Sequence, residues 1–411
     1  MKEQRSCIRF ATVFTLLSLL CVGVGWAGGT KESTVYPETS VEESAGDERG
    51  PIETIQDLPR DIRMALFKAQ ERRANGEILG AVKIIKEFLE KHPYSEHYLL
   101  HFHLANNLVE LQEMEEAIMH YERAVELEDR YAQGWLNLGE AAYNTATYSI
   151  AAKAIETGYR LDPKRSIDLL YYASVARLLN GEPQKAIELL RELMSAPGVE
   201  HRLDWYRGLL SAYSDLKDYE NGAEAAGRMI EKFGMDPEAW KLAFQFAAGS
   251  GDFKRAAVAL TVVGYMRPLT REEELHLGDL YSVLGVPYKA SYHYEAAIES
   301  ESSPREFEKL ASAYLASYDV ESALETLRRA LDRNPTPKLW SLLGDLYYME
   351  RDYGKSLDAF QSCAMMDPEH GRAYLMMGYC ALEMRQPKIA LEQLTRAAEF
   401  EDQREMALAL L

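Results

Sequence analysis

The stretch AQGWLNLGEAAYNTATYSIAAKAIETGYRLDP at residues 132–163 sets the pattern that most of the chain repeats. Counted from Ala132 as position 1, its apolar or small residues fall at positions 4, 7, 8, 20, 24 and 27, and a proline stands at position 32. This spacing predicts two amphipathic helices, each with one buried stripe. The small residues Gly139 and Ala151 allow the helices to approach closely, and Pro163 ends the second helix. The stretch is therefore predicted to form a helical hairpin.

The same frame recurs between residues 61 and 404. Its most regular copies are marked by Trp240, Leu277-Gly278, Leu310-Ala311 and Trp340. One hairpin cannot bury its own apolar faces, so neighbouring copies must stack. The pattern resembles the tetratricopeptide repeat, which has a period of about 34 residues and the same Trp, Leu-Gly, Tyr, Ala and Pro positions. The resemblance implies an all-α fold, a right-handed superhelical solenoid of about ten helix hairpins.

The first residues have the features of a secretory signal. Lys2, Arg5 and Arg9 precede an apolar run of 15 residues, and the run is followed by the small residue Ala27. The run is shorter than the roughly 20 residues of a membrane span. We therefore expect residues 1–27 to be a signal peptide, cleaved after Ala27, and the mature protein to be periplasmic. The alternative is a retained inner-membrane anchor that faces the periplasm.

The rest of the chain divides by composition. Residues 28–60 are acidic and poor in large apolar side chains, which predicts a flexible linker. Residues 61–404 are predicted to form the solenoid, and residues 405–411 a C-terminal tail. Pro, Gly and Ser at residues 195–201 and 299–304 predict breaks in the repeat frame.

The chain is strongly acidic, with a formal net charge of minus 19. Residues 1–27 carry a net charge of plus 2, from Lys2, Glu3, Arg5 and Arg9, so their removal leaves minus 21. Such a surface repels phosphate backbones, which argues against nucleic-acid binding. A basic protein partner is favoured instead, and contact with membrane complexes is expected to be peripheral at most.

The sequence contains no motif for nucleotide binding or nucleophilic catalysis. Neither G-x-x-x-x-G-K-[S/T] nor G-x-S-x-G occurs. His97 and His101 stand one helical turn apart and could share a metal. However, His101 occupies the tryptophan position of its repeat, where it should be half-buried, and no H-E-x-x-H string is present. We expect no enzyme, no cofactor and no metal.

Two cysteines lie beyond the predicted signal, Cys363 and Cys380. They occupy position 27 of one second helix and position 10 of the following first helix, which face each other in a stack of hairpins. An exported compartment permits a disulfide between them. Packing of two small buried side chains is the other interpretation, because facing helices do not guarantee the required Cα separation.

Binding is expected in the concave groove that stacked hairpins form, at positions 2, 5, 9, 12 and 13 of each first helix. In the second to fourth hairpins these positions include Phe102, Asn106, Leu136, Glu140, Tyr143, Tyr171 and Val175, and the predicted binding face continues to the polar Arg207 of the next hairpin. The aromatic and apolar members predict a surface for an extended or basic protein segment. The alternative is that stacking buries some of the aromatic rings. In later repeats the same positions become polar.

A finer resemblance covers roughly residues 203–297. The strings LDWYRGLLSAYSDLKDYENG (residues 203–222) and RPLTREEELHLGDLYSVLGVPYKA (residues 267–290) are similar to tetratricopeptide proteins found with TonB, ExbB and ExbD systems. The resemblance departs at Met266-Arg267-Pro268, where those relatives have a glycine. It implies a periplasmic scaffold that assists TonB-dependent transport across the outer membrane, with a TonB-system component as partner. An adaptor for outer-membrane protein, polysaccharide or pilus biogenesis is the alternative.

The repeat frame also predicts the effect of two substitutions. Gly278 falls at a helix crossing, where a leucine should overpack the contact. Glu273 is expected on an exposed face, where a leucine should change stability little.

Overall fold

A computed structural model of the chain describes residues 52–164, 166–299 and 301–411. The predicted signal peptide and residues 28–51 of the predicted linker lie outside this part of the chain. The described residues form 21 α-helices and no β-strand, which confirms the predicted all-α class. Among them, no helix combines the length and the apolar character that crossing a membrane requires.

The helices group into two compact units that meet in sequence between Gly234 and Met235. Ten helices of the N-terminal unit form five successive hairpins. They are α1 (Arg60–Ala74), α2 (Ile78–Lys91), α3 (Tyr98–Glu110), α4 (Met114–Leu127), α5 (Ala132–Asn144), α6 (Tyr148–Leu161), α7 (Ile167–Leu179), α8 (Pro183–Ser195), α9 (Leu203–Asp215) and α10 (Tyr219–Phe233). Within this unit each helix packs against the helices that precede and follow it in sequence.

The C-terminal unit repeats this arrangement with five more hairpins and one final helix. Its helices are α11 (Pro237–Gly249), α12 (Phe253–Met266), α13 (Arg271–Val283), α14 (Pro287–Ala297), α15 (Pro304–Ala316), α16 (Val320–Arg333), α17 (Pro337–Met349), α18 (Tyr353–Met366), α19 (Gly371–Glu383), α20 (Pro387–Ala397) and α21 (Glu401–Leu410). Ten hairpins in the described residues agree with the predicted number. Packing continues across residues 195–201 and 299–304, where the sequence predicted breaks, because the helices on either side of each loop contact each other.

Every hairpin turn is closed by one residue in the left-handed region. At the turn between α5 and α6, Ala146 has a φ of 57°, and the Thr147 amide donates to the Ala142 carbonyl at 2.8 Å. This is the bond pattern that commonly ends a helix and reverses the chain. In the ten hairpin turns the left-handed residues are Gly76, Gln112, Ala146, Gly181, Lys217, Gly251, Gly285, Tyr318, Arg351 and Arg385. All ten fall at position 15 of the repeat frame.

The helix crossings lie where the sequence predicted them. A Cβ atom added to Gly139 would lie 2.5 Å from the side chain of Ile155, on the opposite helix of the hairpin. One added to Gly278 would overlap the ring of Tyr294. Glycine at position 8 is therefore required by close approach of the two helices rather than by an unusual backbone conformation.

Two expectations differ from the structure. Glu273 is 6% exposed, not on an open face, because it closes a capping box at the start of α13 and pairs with Arg267. Residues 405–411, expected to be a tail, lie almost entirely in helix α21. That helix packs against α19 and α20, and it buries Ala407.

The two cysteines are both free and buried. The Cys380 thiol donates a hydrogen bond to the Ser356 hydroxyl at 3.2 Å, so it already has a partner inside the C-terminal unit. Burial raises the pKa of the Cys363 thiol to about 11 and also raises that of Cys380. Both groups are therefore protonated near neutral pH, as packing residues are.

Candidate protein-binding groove

We define the groove face of the N-terminal unit as positions 5, 9 and 12 of the first helices α3, α5, α7 and α9. These positions lie three or four residues apart, so on each helix they share one side. All eight residues predicted to bind a partner lie on this face. The structure divides them into three groups: buried, hydrogen-bonded and half-buried.

The buried group comprises Phe102, Tyr171 and Val175, which are 7%, 5% and 0% exposed. The ring of Tyr131, from the segment before α5, stands edge-on to Phe102 at a centroid distance of 5.0 Å. Arg202 lies 5.8 Å from the centroid of the Tyr171 ring. Stacking of successive hairpins thus covers the aromatic rings that the sequence favoured as a binding surface. Their exposure was overestimated because the covering groups come from outside their own helices.

The hydrogen-bonded residue is Asn106, at the centre of a polar network that joins three helices. Its side-chain oxygen accepts from the Tyr121 hydroxyl at 2.5 Å and from the Asn137 amide at 3.0 Å. Asn137 in turn accepts from the Gln133 amide at 2.6 Å. This network joins α3, α4 and α5, so the Asn106 side chain stabilises the packing of these helices at the groove face.

The half-buried group includes Leu136 and Tyr143, on the same side of α5. Leu136 lies over Gly158 of α6, where a Cβ atom would collide with it. The ring of Tyr143 stands edge-on to that of Tyr148 at 5.8 Å. Both side chains are fixed on one flank by packing and open to solvent on the other, as anchors for a ligand must be.

Glu140 lies between Leu136 and Tyr143 on α5 and is also half-buried. Burial raises the pKa of its carboxyl, and no charged group or hydrogen-bond donor opposes this effect. Within residues 52–164, 166–299 and 301–411, no hydrogen bond or ion pair involves its side chain. The charged form of a partly desolvated carboxylate without a partner is unfavourable.

Arg207 extends the groove face on α9. Its terminal nitrogen donates to the Asp204 carboxylate at 3.0 Å, while its buried Nε atom has no hydrogen-bond partner in the described part of the chain. The charge of Arg207 is therefore offset within its own helix. Arg207 differs in this respect from Glu140, whose charge has no such partner among the described residues.

The histidines that suggested a metal site point to different partners. His97 Nε2 lies 3.2 Å from a Glu53 oxygen, whereas His101 Nε2 lies 2.9 Å from Glu96. The other ring nitrogen of His101 lies 2.9 Å from Nδ1 of His120. Burial, and then the proximity of His101, lowers the pKa of His120 to about 4. No cluster of three or more metal-ligating side chains is present among the described residues.

A salt bridge from Arg123 completes this network. Its guanidinium donates to both oxygens of Glu96, at 2.8 and 2.6 Å. This interaction is the main reason why the pKa of Glu96 falls to about 2. The sequence did not predict the contribution of His120 and Arg123, because both lie on α4 and reach His101 and Glu96 only when the hairpin closes.

Carboxylates also stand at position 9 in the C-terminal unit, but there they are paired. The Lys309 ammonium lies 2.6 Å from Asp279, which also accepts from the Tyr294 hydroxyl at 2.6 Å. Arg372 lies 2.7 Å from Asp345. In each pair the cation comes from the first helix of the following hairpin. These contacts hold neighbouring hairpins together and occupy the polar positions that the sequence assigned to the later groove.

Comparison with known proteins supports the repeat assignment. A tetratricopeptide repeat family profile matches residues 102–166 and 308–369. The first match spans most of the hairpins α3–α4 and α5–α6, and the second spans most of α15–α16 and α17–α18. No curated protein sequence matches the chain.

Three of the solved structures that match are similar over 42%, 46% and 85% of the chain. MamA is 22% identical, with a TM-score of 0.38, over 42% of this chain and 96% of MamA. YrrB, described as a TPR protein with an unusual peptide-binding site, is 20% identical, with a TM-score of 0.38, over 46% of this chain and 97% of YrrB. Naa15/Naa10 bound to HypK-THB is 14% identical, with a TM-score of 0.48, over 85% of this chain and 59% of the other.

Proposed function

We propose that this chain, which carries tetratricopeptide repeats, is a non-enzymatic scaffold that binds an extended, basic segment of a partner protein on the groove face of its N-terminal unit. The observation that carries the proposal is the row Leu136, Glu140 and Tyr143 on α5. Two half-buried apolar side chains flank an unpaired carboxylate at helical spacing. Such a row suits a segment in which apolar residues or prolines alternate with cations.

Charge supports the choice of a basic partner. The chain has 65 acidic and 46 basic residues, so its field attracts cationic segments over distance and accelerates their encounter. An extended segment rich in proline suits the groove as well, because it loses little conformational entropy on binding.

We further propose that the protein is exported to the periplasm and assists TonB-dependent transport across the outer membrane. Two features of the sequence support this. Lys2, Arg5, Arg9 and the apolar run before Ala27 have the order of a signal peptide. Residues 203–222 and 267–290 resemble proteins of TonB systems. The linker of a TonB protein, being basic, rich in proline and extended, has the chemistry that the groove face selects.

The proposal is tested by photo-crosslinking in intact cells. A photoreactive amino acid at Asn144, an exposed residue at the end of α5, should capture a partner through a basic segment. The same amino acid at Lys153, exposed on α6, is the matched control and should not. Equal capture at both positions would contradict a groove site. A captured envelope-assembly or export factor would replace the TonB proposal with the adaptor role.

Export is tested on the same preparation. N-terminal sequencing of the protein recovered from the periplasmic fraction should begin after Ala27. A chain that retains Met1 and stays with the inner membrane would replace the cleaved form with the anchored one.

A further inference from the structure

Position 9 of the first helix carries a carboxylate in three hairpins, and in the described part of the chain one of the three has no cation beside it. Asp279 on α13 and Asp345 on α17 each contact a basic side chain, at 2.6 and 2.7 Å. Glu140 occupies the same position on α5. Throughout the described residues it has neither an ion pair nor a hydrogen bond.

The difference has a local cause in the next hairpin. Lys309 stands at position 6 of α15 and Arg372 at position 2 of α19, and each reaches back to the preceding carboxylate. In the hairpin after that of Glu140 the first helix is α7, which has Asp168 at position 2 and Tyr172 at position 6. Neither side chain brings a positive charge. Among the described residues, no cation stands beside Glu140 as Lys309 and Arg372 stand beside the carboxylates of the C-terminal unit.

Three described arginines, in α7, in α9 and just before α9, do not replace it, because each contacts another carboxylate. Arg177 of α7 contacts Glu156 and Glu182, both at 2.5 Å. Arg202 lies 3.1 Å from Asp168. Arg207 of α9 is paired with Asp204, as described above.

We propose that Glu140 is the acceptor for a lysine or arginine side chain of the partner segment, which takes the place that Lys309 and Arg372 hold in the C-terminal unit. This inference rests on the proposed function. It adds that Glu140 is the residue that pairs with a cation of the partner, and that this contact lies between Leu136 and Tyr143. Leu136 stands one turn before Glu140 and Tyr143 nearly one turn after it, so the bound cation would lie between two apolar contacts. A cation flanked by apolar residues or prolines is the sequence element that this site selects.

The test uses the mature full-length chain and fluorescein-labelled synthetic peptides, with affinity measured by fluorescence anisotropy at low salt. The probes are a peptide of alternating lysine and proline and its counterpart with glutamine in place of lysine. The variants are Glu140→Gln and Asp345→Asn, which each remove one negative charge. We expect the lysine peptide alone to bind the wild type, Glu140→Gln to weaken it about tenfold or more, and Asp345→Asn to leave it within about twofold.

Melting curves of the same variants provide a second readout. Glu140→Gln removes an unpaired, partly desolvated charge, so its melting temperature should equal or exceed that of the wild type. Asp345→Asn breaks an ion pair and should melt earlier. This contrast separates loss of a binding group from loss of structure.

Each of three other results would overturn a specific claim. If the lysine peptide binds the wild type and Glu140→Gln with equal affinity, Glu140 is not the acceptor, although the proposed groove function stands. If both variants weaken binding equally, the long-range charge of the chain explains the affinity and the site is refuted. If the lysine peptide does not bind the wild type, the proposal of a basic segment fails together with this inference.

Discussion

Arg267 and Glu273 form a bidentate ion pair across the turn between α12 and α13. The two terminal nitrogens of Arg267 lie 2.8 and 2.7 Å from the two carboxylate oxygens of Glu273. Glu273 also accepts from the Thr270 amide at 2.9 Å, which closes the capping box. One buried carboxylate therefore satisfies the start of α13 and anchors the end of α12.

We expect Glu273→Leu to lower the free energy of unfolding by about 2 kcal/mol or more, because it removes the cap and leaves Arg267 without its partner. Chemical denaturation followed by circular dichroism measures the change. Glu272→Leu, at the exposed neighbouring position, is the control and should stay near the wild type. Similar losses in both variants would show that added apolar surface, rather than the ion pair, is responsible.

The Glu273 carboxylate also makes a contribution to the free energy of unfolding that depends on pH. Hydrogen bonding from Arg267 lowers the pKa of Glu273 to about 2, from an ordinary value of 4.5. Since the pKa is depressed in the folded state, the contribution is complete above pH 4.5 and disappears as the pH falls toward 2. Its full size is on the order of 3 kcal/mol. The difference in unfolding free energy between wild type and Glu273→Gln should therefore shrink over this pH range, and a constant difference would argue against the ion pair as its source.

Gly278→Leu should lower the free energy of unfolding by about 1–3 kcal/mol, because even a Cβ atom at this position overlaps the ring of Tyr294. Movement of that ring would also disturb the hydrogen bond from its hydroxyl to Asp279. Thermal and chemical denaturation measure the loss. Glu272→Leu is again the control, and equal stabilities of the two variants would contradict the assignment of Gly278 to a helix crossing.

The left-handed turn residues predict a substitution that stabilises the fold. Ala146→Gly should raise the unfolding free energy by about 0.5–1 kcal/mol, since relief of the left-handed strain exceeds the entropy that glycine adds to the unfolded chain. Gly181→Ala is the reverse experiment. Apart from Gly181 and its chain neighbours, no described residue has an atom within 4 Å of the added Cβ, so the expected loss of stability is purely conformational. A destabilised Ala146→Gly variant would show that this turn is not strained.

Partner binding should distinguish Tyr143 from Tyr171. Tyr143→Ala removes a half-buried ring of the groove face and should weaken partner binding by about 1–2 kcal/mol, with a small effect on folding. Tyr171→Ala empties a buried position and should destabilise the fold by about 3 kcal/mol. Affinity and melting temperature, measured on both variants, test this. A stable Tyr143→Ala variant with unchanged affinity would move the binding site away from α5.

The hairpins could be read from the sequence because the positions that create them are local. Gly139 and Pro163 act within one hairpin, so their spacing in the chain is enough to place a crossing and a helix end. Exposure on the groove face could not be read in this way. Phe102 is covered by Tyr131 from the following hairpin, and Glu273 is covered by an arginine that lies before its own helix. Such contacts depend on how successive hairpins stack, which the repeat frame alone does not specify.

Within each unit, packing joins helices that are adjacent in the chain. Contacts of this kind have short sequence separation, and proteins dominated by them fold quickly, because little loop entropy is lost before the contacts form. Folding can therefore begin at any hairpin and extend to its neighbours. A nascent chain can assemble α1 to α4 while α7 to α10 are still being synthesised. Growth by addition of neighbours, rather than collapse of a complete chain, is the folding route that this architecture favours.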